Sequence, residues 1–372
     1  MEKILILTNH SYMLYQFRKE LIQRLQEDYE VVLSMPFVGH EDDFRKMGCK
    51  CIETKIDRRG MNPRTDFRLL RFYWKLLSQE RPDKVLTYSI KPNVYGGFLC
   101  ELRRIPYYAN VQGLGTAFQK KGMAQFAGFL YRNAFRKVQA VFFENQGNAA
   151  EFIRRKLVNQ KKIVVLHGAG VNLERYRRGA YANAETDMLR KRGQDNKKHF
   201  LYVGRIMKEK GIDELFRAAQ KLYREYGDKV VLDMVGFFED EYKEQVENLE
   251  EQGIVKFYGF QKETRPYYEM ADCVVLPSYH EGMSNVLLEA SSMEIPVITS
   301  DIPGCREAVE DGKTGYLCKV GDSEMLYQNM KKIVEMNNQE LEDMGKLARK
   351  RMRQLFDKTK IVEQTAEIIS RK

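Results

Sequence analysis

Cysteine is scarce in this chain, with six in 372 residues. The six lie at positions 49, 51, 100, 273, 305 and 318 and show no paired Cys-x-x-Cys spacing. That excludes a disulfide-stapled scaffold and predicts reduced structural thiols. Cys49 and Cys51 flank one lysine, which alone is a weak metal or redox signal. No apolar run approaches the ~20 residues needed to span a bilayer. The apolar stretch at residues 4–7 is too short for the core of a secretory leader, and no small-residue cleavage site follows it. A cytoplasmic chain is expected, either soluble or peripheral to a membrane. Low-complexity tracts and short repeats are also missing.

What is present is ordinary globular material. Hydrophobic residues make up 43% and charged residues 31%, which supplies real cores and excludes general disorder. The length suits two domains. The net charge of +10 is unevenly spread. Residues 1–180 hold 32 Lys and Arg against 17 Asp and Glu, and the remainder holds 30 against 35. A basic first half invites an anionic partner: nucleic acid, anionic lipid or a phosphorylated substrate.

Short β-rich runs alternate with amphipathic stretches. Strands are predicted at 3–8, 30–35, 49–54, 83–87, 106–111, 138–143 and 162–166. Helices are predicted at 12–27, 65–80, 93–103, 121–136 and 146–157. After a polar pause at 168–198 a second series begins. Its strands are placed at 199–203, 229–235, 254–258, 272–276, 295–299 and 314–318. Its helices are placed at 211–226, 239–252, 264–270, 285–293, 322–335 and 339–354, and a last helix spans 356–369. This alternation predicts α/β architecture with two Rossmann-like domains. Domain limits fall at 1–176 with 356–372, and at 177–355. Two such domains predict a cleft, with ligands outside the carboxyl ends of strands.

The strongest motif follows the strand ending at Leu276: LPSYHEGMSNVLLEA, residues 276–290. A turn at Gly282 opens a helix near Ser284 or Asn285, whose free amides make an anion site. Glu281 precedes that helix and Glu289 lies about a turn inside it. Both can face one ligand, holding two sets of sugar hydroxyls with a diphosphate between. The plainer reading has Ser284 or Asn285 as a cap and Glu289 as a solvated acid. The second motif is LYVGRIMKEKG, residues 201–211. Gly204 permits close ligand approach, Arg205 can fork onto phosphate oxygens and Lys210 adds a point charge. A solvated basic loop is the alternative.

These segments resemble retaining glycosyltransferase family 4, of GT-B fold. The Glu-x7-Glu pattern of residues 281–289 and the Gly-Arg…Lys-Gly pattern of 204–211 carry the resemblance. Val235-Gly236, VKFYGF at 255–260, PGCRE at 303–307 and GKTG at 312–315 fall in the family's order. GVNLERY at 170–176 resembles the entry to the interdomain linker. SIKPNVYGG at 89–97 and NVQGLG at 110–115 resemble bacterial enzymes that add N-acetylgalactosamine or related sugars to undecaprenyl-diphosphate-linked sugars. Such enzymes serve capsule, exopolysaccharide and protein-glycan assembly.

The resemblance implies roles. Glu281 would bind donor-sugar hydroxyls and Glu289 the ribose. Arg205 and Lys210 would neutralise the departing diphosphate. Gly204, Gly282 and Met283, with the amides of Ser284, Asn285 and Val286, would complete the donor cradle, and Tyr258 would lie near the base. The donor would be a UDP-linked N-acetylhexosamine or hexose, serving as substrate, with no separate cofactor and no metal. The acceptor would be a polyprenyl-diphosphate-linked saccharide. His10, Lys91, Asn93, Gln112, Asn145 and His167 are candidate acceptor contacts, and for each a cap or turn role competes. His10 stands where many family members carry glycine. Glu239, Asp240 and Glu241 superficially resemble a metal motif but fall at a predicted helix start, where acids favour the macrodipole.

Basic and aromatic residues interleave at 64–75 and 119–131. For 65–80, packing on its own sheet is the expectation. For 119–137, contact with an anionic inner-membrane surface is equally open. Two rivals remain: a UDP-sugar 2-epimerase of the same fold, which the Glu281/Glu289 and Arg205/Lys210 set disfavours, and a basic nucleic-acid-binding protein. No helix-turn-helix, RRM or zinc-finger pattern supports the latter, so no nucleic-acid partner is expected.

Overall fold

The computed structural model describes residues 1–57, 62–113, 121–181, 189 and 195–371. Leu114 and Gly115 of the 110–115 motif, with Gln119 and Lys120 of the 119–131 segment, lie outside the described residues. So does most of the polar pause between 182 and 194. The chain forms two compact units, residues 1–169 with 359–372, and residues 170–358. The 170–176 segment thus belongs to the second unit.

The first unit begins with β1 (Glu2–Leu7), whose run Ile4, Leu5, Ile6, Leu7 is fully buried. Apolar residues on both faces require cover on both faces, which is the signature of a parallel sheet. Seven parallel strands follow the order β3-β2-β1-β4-β5-β6-β7. They are β2 (Tyr29–Met35), β3 (Lys50–Glu53), β4 (Lys84–Tyr88), β5 (Tyr107–Val111), β6 (Ala140–Phe143) and β7 (Ile163–Val165). The helices are α1 (Ser11–Gln26), α2 (Glu41–Lys46), α3 (Pro63–Glu80), α4 (Gly97–Arg103), α5 (Lys121–Ala134) and α6 (Gln146–Arg154). The short α2 escapes sequence reading because its six residues bury only Phe44. The helix expected from 93 opens instead as a wide π turn, Pro92–Gly96, that runs into α4. In α3, Leu69, Tyr73, Leu76 and Leu77 pack on the sheet as expected, yet Phe67 and Trp74 remain exposed.

The second unit has six parallel strands in the order β10-β9-β8-β11-β12-β13. They are β8 (Lys198–Val203), β9 (Val230–Val235), β10 (Val255–Phe257), β11 (Cys273–Leu276), β12 (Val297–Ser300) and β13 (Gly315–Cys318). The helices are α7 (Ile212–Tyr226), α8 (Lys243–Glu251), α9 (Arg265–Met270), α10 (Asn285–Ser292), α11 (Ser323–Glu335) and α12 (Asn338–Leu355). Asn337 caps α12 through a reciprocal box with Glu340.

The last helix, α13 (Lys358–Ser370), returns to the first unit. Ile361, Ala366 and Ile369 join the core that contains Ile4, Ile6, Leu21 and Phe142. Arg24 grips Glu363 with a 3.0 Å bond, and the Lys84 ammonium donates to the Ile369 carbonyl at 2.8 Å.

In each sheet the strand order reverses once, between β1 and β4 and between β8 and β11. Crevices at such points are where doubly wound sheets hold ligands. All six cysteines are unpaired thiols, and five are buried.

Candidate active site

In the second unit, four loops leave the carboxyl ends of β8, β9, β11 and β12 and are bonded to one another. Gly204 N–H donates to Val235 O, Tyr279 N–H to Glu209 O and Ser284 N–H to Gly304 O, each at 2.9–3.0 Å. Two glycines make this approach feasible. Gly211 has φ 71°, and a Cβ there would stand 2.1 Å from the Pro277 carbonyl oxygen. Gly304 has φ 89°, and a Cβ there would stand 2.2 Å from the Gly282 carbonyl oxygen. Any side chain would force the loops apart.

Within this frame Lys210 Nζ donates to Glu281 Oε1 at 2.5 Å, and both side chains are mostly buried. The two motifs therefore meet in space. Arg205 is exposed and pairs with Glu239 at 2.5 Å. An exposed pair of this kind contributes about 0–1 kcal/mol, so a phosphate can redirect the guanidinium at small cost. The acids at 239–241 do not begin a helix, since α8 starts at Lys243. They brace loops instead: Glu239 holds Arg205, and Asp240 accepts the Lys208 N–H at 2.8 Å.

At α10 the first intrahelical bond is Leu288 N–H to Ser284 O. The amides of Asn285 and Val286 precede it and carry the helix's partial positive charge. The Ser284 amide departs from expectation, because the Gly304 carbonyl already takes it. Met283 is also a correction. Its side chain is 6% exposed and sits in the apolar core. Glu289 accepts from the Tyr268 hydroxyl at 3.0 Å. Burial pushes the Glu289 carboxyl above its usual range, against the Tyr176 and Tyr268 hydrogen bonds.

Tyr258, expected near a base, has its hydroxyl committed elsewhere. It donates to Asp233 Oδ1 at 2.9 Å. Asp233 Oδ2 meets His199 Nδ1 at 2.7 Å, and His199 Nε2 meets Asp195 at 3.2 Å. His199 and Asp233 are fully buried. Burial acts to lower the His199 pKa, but Asp233 and Asp195 outweigh it, and the net shift is upward. Sequence reading missed this network because its members lie on separate strands and loops.

In the first unit a cavity of about 190 Å³ lies at the reversal of strand order. Thr8, Asn9 and His10 follow β1, Tyr88 and Ser89 end β4, Gln112 follows β5, and Met13, Leu14 and Arg18 come from α1. Arg18 Nη2 meets Glu144 Oε1 at 2.5 Å, and both residues are buried. Glu144 also accepts from Gln112. Burial raises the Glu144 pKa, with Arg18 opposing it. Of the six acceptor candidates, His10 and Gln112 line this cavity. The other four do not. Lys91 pairs with Asp66 at 2.8 Å. Asn93 is a correction: its amide bridges Thr87 and the Asn110 carbonyl at 2.7 and 2.8 Å inside the core. Asn145 likewise caps α6, accepting the Asn148 N–H at 2.8 Å. His167 is exposed beyond β7. Arg18 and Glu144 went unread because each resembles an ordinary charge at a helix face or strand end.

Among the described residues no His, Cys, Asp and Glu side chains group as a metal site, and no helix is long and apolar enough to cross a membrane.

Two family models match the chain: "Glycosyl transferase 4-like" over residues 3–145 and "Glycosyl transferases group 1" over residues 184–351. A Campylobacter jejuni relative is 27% identical over 331 residues, covering 87% of this chain and 86% of its own. It is the N,N'-diacetylbacillosaminyl-diphospho-undecaprenol alpha-1,3-N-acetylgalactosaminyltransferase. The Staphylococcus aureus capsular polysaccharide biosynthesis glycosyltransferase CapM is 31% identical over 167 residues, covering 44% of this chain and 43% of its own. The crystal structure of Anabaena HepE in complex with UDP and glucose superposes with a TM-score of 0.80 at 20% identity, over 100% of both chains. Motifs, paired Rossmann-like units and family matches agree: the chain belongs to the family 4 glycosyltransferases of GT-B fold.

Proposed function

We propose that the protein is a retaining, metal-independent glycosyltransferase. It moves an N-acetylhexosamine or hexose from a UDP-sugar to a polyprenyl-diphosphate-linked saccharide at the cytoplasmic face of the membrane. The observation that carries the reading is the Lys210–Glu281 pair beside the open amides of α10. It sets a cation and a hydroxyl-binding carboxylate at one sheet's reversal point. The Campylobacter relative's substrate and the UDP bound by HepE support the donor and acceptor classes.

In this mechanism Lys210, Arg205 and the Asn285 and Val286 amides stabilise charge on the departing diphosphate. The C1–O bond to UDP breaks while the acceptor hydroxyl bonds C1 from the same face. The leaving phosphate oxygen takes the acceptor proton. Glu281 orients the sugar, and positioning supplies much of the rate. Cationic side chains perform the neutralisation often given to a metal.

The membrane reading rests on one surface of the first unit. α4 packs against both α3 and α5. This layer exposes Phe67, Trp74, Phe98, Leu102, Phe126 and Phe129. Arg64, Arg68, Arg71, Lys75, Arg132 and Arg136 are exposed on α3 and at or just beyond α5. Aromatic and basic side chains together suit an anionic lipid surface.

A thermal-shift panel of UDP- and GDP-sugars tests the donor, because a ligand that binds only the native state raises apparent stability. UDP-sugars should raise Tm and support transfer that survives chelator. Protection by GDP-sugars alone, or strict metal dependence, overturns the reading.

A further inference from the structure

We infer that Tyr176, Tyr268 and Arg349 are positioning residues for Glu289, holding its carboxyl so that it accepts from two neighbouring hydroxyls of the donor ribose. The inference rests on the glycosyltransferase reading, in which Glu289 meets that ribose, and adds which side chains aim the acid.

Tyr176 is gripped at both ends. Its hydroxyl reaches Glu289. Its carbonyl accepts from the Ser292 hydroxyl at 2.6 Å and from Arg349 Nη1 at 3.1 Å. Glu289 and Ser292 lie one turn apart on α10 and share a face. Arg349 comes from α12 and is buried. Its Nη1 also donates to the Ser292 carbonyl, and its Nη2 to the Leu173 carbonyl at 3.1 Å. One turn earlier on α12, Gly345 lets the helix close on the chain after α10, since a Cβ there would stand 2.1 Å from the Glu294 carbonyl oxygen. A cation on the Ser292 carbonyl alone would be an ordinary helix cap. Arg349 collects carbonyls from two separate segments, and one of them belongs to the residue that touches Glu289.

The second hydroxyl comes from Tyr268 on α9, which donates to Glu289 Oε2 at 3.0 Å. The two tyrosine rings meet edge to face, with centroids 6.5 Å apart. Burial, with Glu289 alongside, pushes both phenols up, so each keeps its proton and donates. An ionised carboxyl offers about four lone-pair sites and no proton. With two sites taken by tyrosines, the others can only accept, and a pair of adjacent hydroxyls supplies the matching donors. Burial raises the Glu289 pKa, while Tyr176, Tyr268, Lys358 and Arg175 oppose it. These four side chains face it from the 170–176 segment, α9 and the start of α13. Loss of either hydroxyl therefore favours the protonated acid, which turns one acceptor into a donor.

The test measures binding of UDP and of 2′-deoxy-UDP to the full chain by calorimetry, and titration of the phosphates cancels in their ratio. The parent chain should favour UDP about tenfold or more. That preference should vanish as pH falls through the Glu289 pKa. Tyr176→Phe and Tyr268→Phe keep the rings but lose the hydroxyls. Each should cut the preference about threefold and start its acid loss at a higher pH than in the parent. Arg349→Lys keeps the charge but loses the planar fork, and should cut the preference likewise; the tyrosine variants decide the matter if it fails to fold. In turnover the donor KM should rise with kcat within about twofold. In a Glu289→Gln background, Tyr176→Phe should change UDP affinity less than about twofold, because the acid it acts through is gone. An unchanged preference and pH profile in the folded variants, or a full Tyr176→Phe loss in the Glu289→Gln background, overturns the inference. A parent chain that binds UDP and 2′-deoxy-UDP alike also overturns it, by removing the ribose from Glu289. Failure of the parent chain to bind UDP at all instead overturns the glycosyltransferase reading.

Discussion

The two units place polar groups at the same topological point by different means. In the second, at the β8/β11 reversal, neighbouring loops are fastened by backbone hydrogen bonds and by glycines too close for a Cβ. Lys210 and Glu281 then stand on a frame that does not need them. In the first, at the β1/β4 reversal, the frame is itself made of side chains. Arg18 lines the wall, and its buried partner Glu144 lies 126 residues away in sequence. The lesson is about separability. Site side chains of the second unit can be changed with the fold intact, whereas those of the first are partly the fold.

The largest test of that contrast is Glu281→Ala. It should lower kcat ~100- to 1,000-fold and lower the melt less than Asp233→Ala does, because Lys210 keeps some contact with solvent. A collapse of the melt would show that the second frame also depends on its site. Next is Asp233→Ala, which strands His199 in the core of the second unit. Breaking a buried pair costs about 3–5 kcal/mol. Chemical denaturation followed by hydrogen exchange should show the loss in β8 and β9 and not in β1 or β4. Phe126→Ser with Phe129→Ser should weaken binding to anionic vesicles about a hundredfold, since each loses buried apolar area worth ~1.5 kcal/mol or more. UDP binding should not change, and equal binding of the parent chain to neutral vesicles would remove the electrostatic part of the docking.

The smallest effect is on pH. The folded His199 pKa lies above its ordinary value of about 6.5. The folded state binds its proton more tightly, so this contribution is full below the unfolded pKa and fades as pH rises through the folded one. Stability of the second unit should fall across that window, and His199→Gln should flatten the slope.

The same contrast explains what sequence reading reached. β1 was legible because a run apolar on both faces admits one environment. Glu281 and Lys210 were legible because each sits in a contiguous segment just after a buried strand. Met283 was misplaced because neighbours in a motif need not face the same way, and the core claimed its thioether. Arg18 was silent because it falls among the charges of α1, and only folding shows that it faces inward. α3 was half legible. Its apolar spacing named the packed face, but not that Phe67 and Trp74 stay in the open.

The return of α13 to the first unit has a consequence for the chain's birth. Residues 170–358, which make up the second unit, precede residues 359–372 in the chain. The first unit is begun earlier yet finished later, with Ile4, Leu21 and Phe142 waiting for Ile361 and Ile369. Synthesis order and completion order are therefore reversed. A chain cut before residue 359 keeps the residues of the second unit but leaves Ile4, Leu21 and Phe142 without the cover of Ile361 and Ile369.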